Sequence, residues 1–498
     1  MSIGKPRVLV IGAGVGGIAA GVRMLQDGHT ELLIVEAADG VGGVWRANSY
    51  PGARCDIPSH LYSFSFHPKP DWSRRYADRD EILGYLEDVT RAHGLLPHLR
   101  LRTEVTACEW NDGAAHWQVT LRDLNRPEAD QETREAEVVI VATGQLSRPA
   151  RPEIAGLDRF AGPAWHSARW RHDVDLTGRK VAVIGTGASA VQFVPAIADR
   201  TAGLEVFQRS APYVVGKPNR SYTDREKSLY ARIPAVQTIS RWRQYLWHEL
   251  LGTPFTLTPR LMAVPARAWR RRLEAAFPDP ATREKLTPDY ILGCKRILRA
   301  TDWYRTLRRP DVALVTKEIT EVLPEGLRTA DGVLHPADVL IFGTGFTATR
   351  FLAPIRVTGR DGRDLQEVWA DGARAYLGTA VAGFPNLFLL YGPGTNLGHS
   401  SIIFMIESQL AWIRAAVSRL RRWELGWIDV RPEAQARYDA GFRAASAHTV
   451  WETGCSSWYT VNGRNTNNWP GTTLSFRRRT RRLQLADVEL ARRAPEAS

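Results

Sequence analysis

The chain has 498 residues, 44% of them hydrophobic and 24% charged, the balance of a globular protein long enough for two or three cores. The net charge of +13 comes from arginines spread along the chain, with one run at Arg477-Arg478-Arg479-Thr480-Arg481-Arg482, and no nucleic-acid motif accompanies them. No apolar stretch reaches the roughly eighteen residues of a membrane-spanning helix.

The first predicted element is a strand at Val8–Ile11, too short for the apolar core of a signal peptide. Gly12-Ala13-Gly14-Val15-Gly16-Gly17 follows it and leads into a helix-compatible segment, and a second strand at Leu32–Val35 ends at Glu36. A mixed region closes with a strand over 137–141 and Ala142-Thr143-Gly144. About 170 residues after the first unit the pattern returns. Lys180–Ile184 is followed by Gly185-Thr186-Gly187-Ala188-Ser189-Ala190, then by a strand over 204–207 and by Arg209. The stretch 224–300 reads as a helical insertion, and a strand over 338–342 runs into Gly343-Thr344-Gly345-Phe346. The tail from about Pro385 is expected to return to the first unit. The four cysteines, Cys55, Cys108, Cys294 and Cys455, form no C-x-x-C pair, which suits free thiols in a reducing cytoplasm.

A G-x-G-x-x-G turn between strand and helix lets backbone approach a pyrophosphate, and the helix start presents free N–H groups to it. Ala190 in the third place of the second copy is a tolerated variant. Glu36 lies 24 positions after Gly12, and Arg209 lies 24 positions after Gly185. A carboxylate there accepts hydrogen bonds from ribose hydroxyls and repels a 2′-phosphate. A guanidinium forks onto that phosphate instead. The first site, with Gly12, Gly14, Gly17 and Glu36, therefore reads as FAD, and the second as NADPH. Candidate NADP ligands are Gly185, Thr186, Gly187, Ser189, Ala190, Gln192, Arg209 and Ser210, with Lys295 a possible second cation at the phosphate. Two chance glycine turns would show neither the matched spacing nor the opposed charges.

Longer patterns carry a resemblance. Phe160-Ala161-Gly162-Pro163-Ala164-Trp165-His166-Ser167-Ala168-Arg169-Trp170 matches F-x-G-x-x-x-H-x-x-x-W, followed by Arg171. Gly43-Val44-Trp45-Arg46-Ala47-Asn48-Ser49-Tyr50-Pro51-Gly52-Ala53-Arg54-Cys55-Asp56 matches G-x-W-x-x-x-x-Y-P-G-x-x-x-D. With Gly293-Cys294-Lys295-Arg296 and Ser457-Trp458-Tyr459, the chain resembles the class B flavoprotein monooxygenases, specifically type I Baeyer–Villiger monooxygenases. That family usually has Pro or Asp at the place of Arg171. The resemblance implies two doubly wound Rossmann-like α/β domains, the NADPH domain inserted in the FAD domain. Residues 1–148 and 351–498 would form the FAD domain, and 149–350 the NADPH domain.

It also implies that NADPH reduces FAD and that oxygen then reacts, through a C4a-peroxyflavin, to convert ketones into esters or lactones. By the same resemblance, Arg296 supplies the positive charge beside the reacting oxygen and contacts NADP, and Asp56 holds it. Val44, Trp45, Asp56, Tyr62 and Val105 are expected at FAD, and Arg54 and Trp458 at NADP. Asp56 could also serve as an N-cap or Asx turn after Pro51-Gly52, and both roles can hold together. His166 lies in the connection between the domains, so an orienting role is expected rather than general-base work. Competing readings are a sulfur- or nitrogen-oxygenating relative, an FAD-dependent reductase or oxidase, and a non-enzymatic basic binding protein. A disulfide reductase would need a dithiol that the sequence does not offer.

Overall fold

A computed structural model describes residues 6–256, 258–455 and 457–492. Val8–Ile11 is four buried branched residues, the signature of a strand covered on both faces. It pairs in parallel with Leu32–Val35 on one side and Val138–Val141 on the other. Leu99–Arg100 and Leu387–Leu389 complete this five-stranded sheet. Lys180–Ile184 repeats the arrangement between Gly203–Phe207 and Val339–Phe342. Val312–Val315 and Ala164–His166 form the edges of that second sheet. The fold is therefore two doubly wound α/β units. The chain leaves the first sheet, builds the second, and returns with Leu387–Leu389.

Each unit also carries an antiparallel addition. The first has Thr103–Asn111, His116–Asp123 and Glu132–Ala136, with Arg356–Thr358 alongside. The second has Ile319–Leu323, Gly326–Thr329 and Leu334–Pro336. Trp117, wholly buried, donates its indole N–H to the Pro385 carbonyl at 2.8 Å and ties the first addition to the returning chain.

The two glycine turns are superposable in their constraints. Gly12 and Gly185 take φ of +99° and +105°. A Cβ would lie 2.8 Å from the Ala142 carbonyl oxygen in the first and 2.6 Å from that of Gly343 in the second. The strand-then-glycine endings read from the sequence are thus the opposite walls of these turns. A Cβ at Gly17 would fall 1.7 Å from the Gly12 carbonyl oxygen.

Two expectations need correction. The helical insertion ends earlier than 300. Helices Asp224–Arg232, Pro234–Thr256, Ala263–Ala276 and Pro280–Leu286 are present, but Pro288 disfavours helix in the residue before it. Gly293 is left-handed at φ +93°, and the chain then runs extended into Leu298–Arg299, paired with Val214–Val215. Arg296 therefore sits on non-helical backbone. Nor are all four cysteines free: Cys294 and Cys455 are disulfide-bonded, their Cα atoms 6.2 Å apart, while Cys55 and Cys108 are buried thiols. No local spacing could signal a pair separated by 161 positions.

Two outcomes are expected. Gly17→Ala should cost about 3 kcal/mol or more through backbone overpacking, read as a lower denaturation temperature and loss of retained flavin. Protein unfolded without reductant should show two titratable thiols, Cys55 and Cys108, and four after reduction.

Candidate active site

The helices that follow the glycine turns begin without side-chain caps. Val15–Gln26 has Gly14 at its N-cap, and Ala190–Ile197 has Ser189. Neither N-cap makes a side-chain hydrogen bond to its own helix, and neither first turn holds an acidic residue. Thr223, Asp279 and Asp364 close other helix starts with side-chain oxygens, while Arg79–Ala92 and Ile402–Arg422 also lack a side-chain cap. The two bare helix starts suit a pyrophosphate, which brings the missing acceptor atoms. Gly14 and Gly43 nearly touch, a Cβ on Gly43 coming within 2.9 Å of Gly14 Cα, so this close approach leaves no room for a side chain.

Both turns line one cleft of about 2800 Å³, several times an ordinary small-molecule pocket and roomy enough for two dinucleotides and a substrate. Glu36 stands at its rim. It accepts the N–H of Ala13 at 2.7 Å and of Ala38 at 2.8 Å, which fixes the carboxylate and leaves lone pairs for hydroxyl donors. Arg209 is exposed and carries no ion pair among the described residues. Lys295 lies close enough to feel it: burial lowers the ammonium pKa, Asp289 opposes that, and Arg209 lowers it further. Two cations without a shared carboxylate form a ready phosphate site. Thr186 donates to the Ser210 carbonyl at 3.5 Å and steadies the loop.

The residues expected at FAD lie together on the cleft wall. Val44 and Trp45 begin the short helix Val44–Ala47, and Trp45 donates its indole N–H to the Tyr62 hydroxyl at 3.1 Å. Both rings and Val105 line the cleft. Burial raises the Tyr62 phenol pKa well above its ordinary value, so it stays protonated. Arg54 is ion-paired with Asp78, and its backbone is held from both sides by Gln192. The Gln192 amide accepts the Arg54 N–H at 3.2 Å and donates to the Arg54 carbonyl at 3.1 Å. Gln192 is thus a clamp between the units as well as a wall of the cleft.

The floor of the cleft is charged. Asp56, only 13% exposed, accepts from Arg296 at 3.1 Å on one oxygen and from Lys217 at 3.3 Å on the other. Lys217 is 7% exposed and also donates to the Cys55 carbonyl at 3.2 Å. Arg299 reaches the Asp56 carbonyl at 3.5 Å. Arg296 keeps 40% of its side-chain exposure, directed into the cleft. Burial works to lower its pKa, but Asp56, helped by Tyr459 and Tyr391, raises it overall. Burial also pushes the Cys55 thiol up to about 12. The sequence reading found Asp56 and Arg296 but missed Lys217, Arg299 and Tyr391, which no local pattern marks.

Trp458 lines the same cleft and packs on Tyr459, ring centroids 4.5 Å apart. The Cys294–Cys455 disulfide joins this loop to the backbone just before Arg296. Of the F-x-G-x-x-x-H-x-x-x-W segment, Ala168 and Arg169 line the cleft, while Phe160, Gly162, His166 and Trp170 lie outside its lining. Phe160 packs on the second sheet, and a Cβ on Gly162 would come within 2.4 Å of the Asp338 carbonyl oxygen. His166, its pKa lowered by burial, accepts the Ala168 N–H at 3.1 Å. Trp170 packs on Trp165 and Phe193. These residues fasten the strand Ala164–His166 and the chain after it, a positioning role. Arg171 points outward and pairs with Asp173.

Two uncapped dinucleotide turns on one cleft, one marked by a carboxylate and one by a guanidinium, define a pyridine-nucleotide-dependent flavoprotein. The flavin-binding monooxygenase-like family matches residues 5–233. A Baeyer–Villiger monooxygenase of Streptomyces coelicolor is 44% identical over 98% of this chain and 93% of its own. One from Pseudomonas aeruginosa is 41% identical over 97% and 91%. A solved OTEMO complex with FAD and NADP superposes with a TM-score of 0.87 at 30% identity, covering 98% of this chain and 100% of that one. The chain belongs to the Baeyer–Villiger monooxygenase family.

Arg209→Ala should raise KM for NADPH by roughly 10- to 100-fold, through loss of charge-assisted phosphate bonds, and leave KM for NADH nearly unchanged. Steady-state kinetics with both nucleotides measures the split.

Proposed function

We propose that Arg296, paired with the Asp56 carboxylate whose other oxygen binds Lys217, is the catalytic charge of an enzyme that inserts oxygen beside a ketone carbonyl. The chain is an FAD-containing, NADPH-dependent Baeyer–Villiger monooxygenase. Its balance is ketone, O2, NADPH and a proton to ester or lactone, NADP+ and water. Bound FAD supplies the hydride acceptance and oxygen activation. Gly12, Gly14, Glu36, Trp45 and Tyr62 would hold it, and Gly185, Gly187, Arg209 and Lys295 would hold NADPH.

The chain's own contribution at the reacting end is charge and shape. Arg296 cannot give up its proton, so it stays a cation throughout. Asp56 neutralises one positive charge and Lys217 restores it, leaving the floor of the cleft net positive. A fixed positive field favours the anionic oxygen species that attacks a carbonyl, and it acts more strongly where water is scarce. Asp56 also sets where that charge sits: both cations come from the second unit, while the carboxylate belongs to the first. The single observation that carries this reading is the Lys217–Asp56–Arg296 cluster at the junction of the two nucleotide half-sites. Leu250, Phe255, Met262 and Leu292 form an apolar wall across the cleft, which suits the hydrocarbon part of a ketone.

The test is incubation with a ketone panel, NADPH and 18O-labelled oxygen. Esters or lactones should carry one labelled oxygen atom, and label found only in water or hydrogen peroxide would refute the reading. Arg296→Ala should lower ester formation by at least about two to three orders of magnitude, while NADPH still bleaches the flavin in anaerobic mixing. Asp56→Asn should retain flavin and lower kcat more than it raises the ketone KM.

A further inference from the structure

Helix Pro234–Thr256 is built with its polarity reversed. Its inward side carries hydrogen-bonding groups beside two buried rings, Tyr245 and Phe255. Gln237 donates to the Lys69 carbonyl at 2.6 Å, Arg241 donates to the carbonyls of His60 and Ser63, each at 2.8 Å, and Glu249 accepts the Thr473 hydroxyl at 2.6 Å. Its outward side is apolar. Ile239, Trp242, Leu246, Trp247 and Leu250 follow helical spacing in one stripe, Ile239 and Leu250 each 66% exposed. Leu261 and Val264, on the next turn and helix, are also exposed. A surface helix of a globular protein ordinarily places these faces the other way round. A contiguous apolar surface of this kind marks a partner.

We propose that this face docks on an anionic lipid bilayer. Arg243, Arg260, Arg267, Arg270, Arg271 and Arg272 are exposed on the same helices. Across residues 233–277 Glu274 is the one exposed carboxylate. Tryptophan and leucine flanked by arginine is the composition of a helix lying in the interface of an acidic membrane. The same charge argues against a second copy of the chain. A two-fold contact sets each patch against itself, and here it would bring like charges together. No helix among the described residues is long and apolar enough to cross a membrane, so the contact is peripheral.

The face is also the mouth of the active site. Leu250, Leu251, Leu261 and Val264 are exposed, and they line the cleft that holds Arg296. Docking would open the cleft toward the acyl-chain region, so an apolar ketone dissolved in lipid could enter without crossing water. This route rests on the ketone reading above; the docking itself does not.

The experiment is flotation of the flavin-loaded enzyme with phosphatidylcholine vesicles containing about one-third phosphatidylglycerol, against phosphatidylcholine alone. The enzyme should float with the acidic vesicles, less with the neutral ones, and less at high salt. The combined variant Ile239→Ser/Leu246→Ser/Trp247→Ser should lower the bound fraction by roughly tenfold, with flavin content and NADPH oxidation unchanged. If that variant does not retain flavin, Arg270→Gln/Arg271→Gln provides the same comparison through charge. Absence of flotation, or equal flotation of the variants, would overturn the proposal. A concentration-dependent dimer dispersed by the serine variant, without vesicle binding, would give the face to a second copy and overturn it as well.

Discussion

The structure turns on one buried carboxylate shared by two cations. Asp56 comes from the first unit, in the loop after Pro51-Gly52, while Lys217 and Arg296 come from the second. Breaking the cluster is costly at Lys217, which is 7% exposed and would lose its counter-ion with little water to replace it. The relative placement of the two units at the cleft floor is therefore set by electrostatics as well as by packing. Gln192 adds a neutral clamp a short distance away, holding the Arg54 backbone from both sides.

That constraint gives the rest its meaning. The two glycine turns could each bind a dinucleotide alone, yet neither would do chemistry on a ketone. Both turns line one cleft, and the Lys217–Asp56–Arg296 cluster lies on its wall with a net positive charge. The disulfide acts in the same place. It ties the loop carrying Trp458 to the backbone leading to Arg296, so two segments far apart in sequence reach the cleft together.

Much of this was legible in the residues, for identifiable reasons. Parallel central strands read clearly because burial on both faces demands runs such as Val8–Ile11 and Val339–Phe342. The turns read clearly because backbone contacts at Gly12, Gly17 and Gly185 exclude a side chain. Glu36 and Arg209 could be told apart because equal spacing isolates charge as the variable. Lys217 was hidden because its partner lies 161 positions away and its neighbours form no pattern. The disulfide was hidden for the same reason. The end of the insertion was overextended because leucine- and arginine-rich composition continued past Pro288, where backbone sterics, not composition, decide the conformation. The reversed polarity of Pro234–Thr256 could not be read at all. Periodicity shows that a helix has two faces, but which face turns inward depends on the partners that Lys69, His60, Ser63 and Thr473 supply.

The bare helix starts have a consequence for the life of the chain before it meets its cofactors. Each leaves backbone N–H groups short of acceptors at the centre of a domain, and a ligand that binds only the folded form shifts the folding equilibrium by mass action. A dinucleotide bound at either turn would therefore stabilise the folded chain by an amount that grows with the logarithm of its concentration.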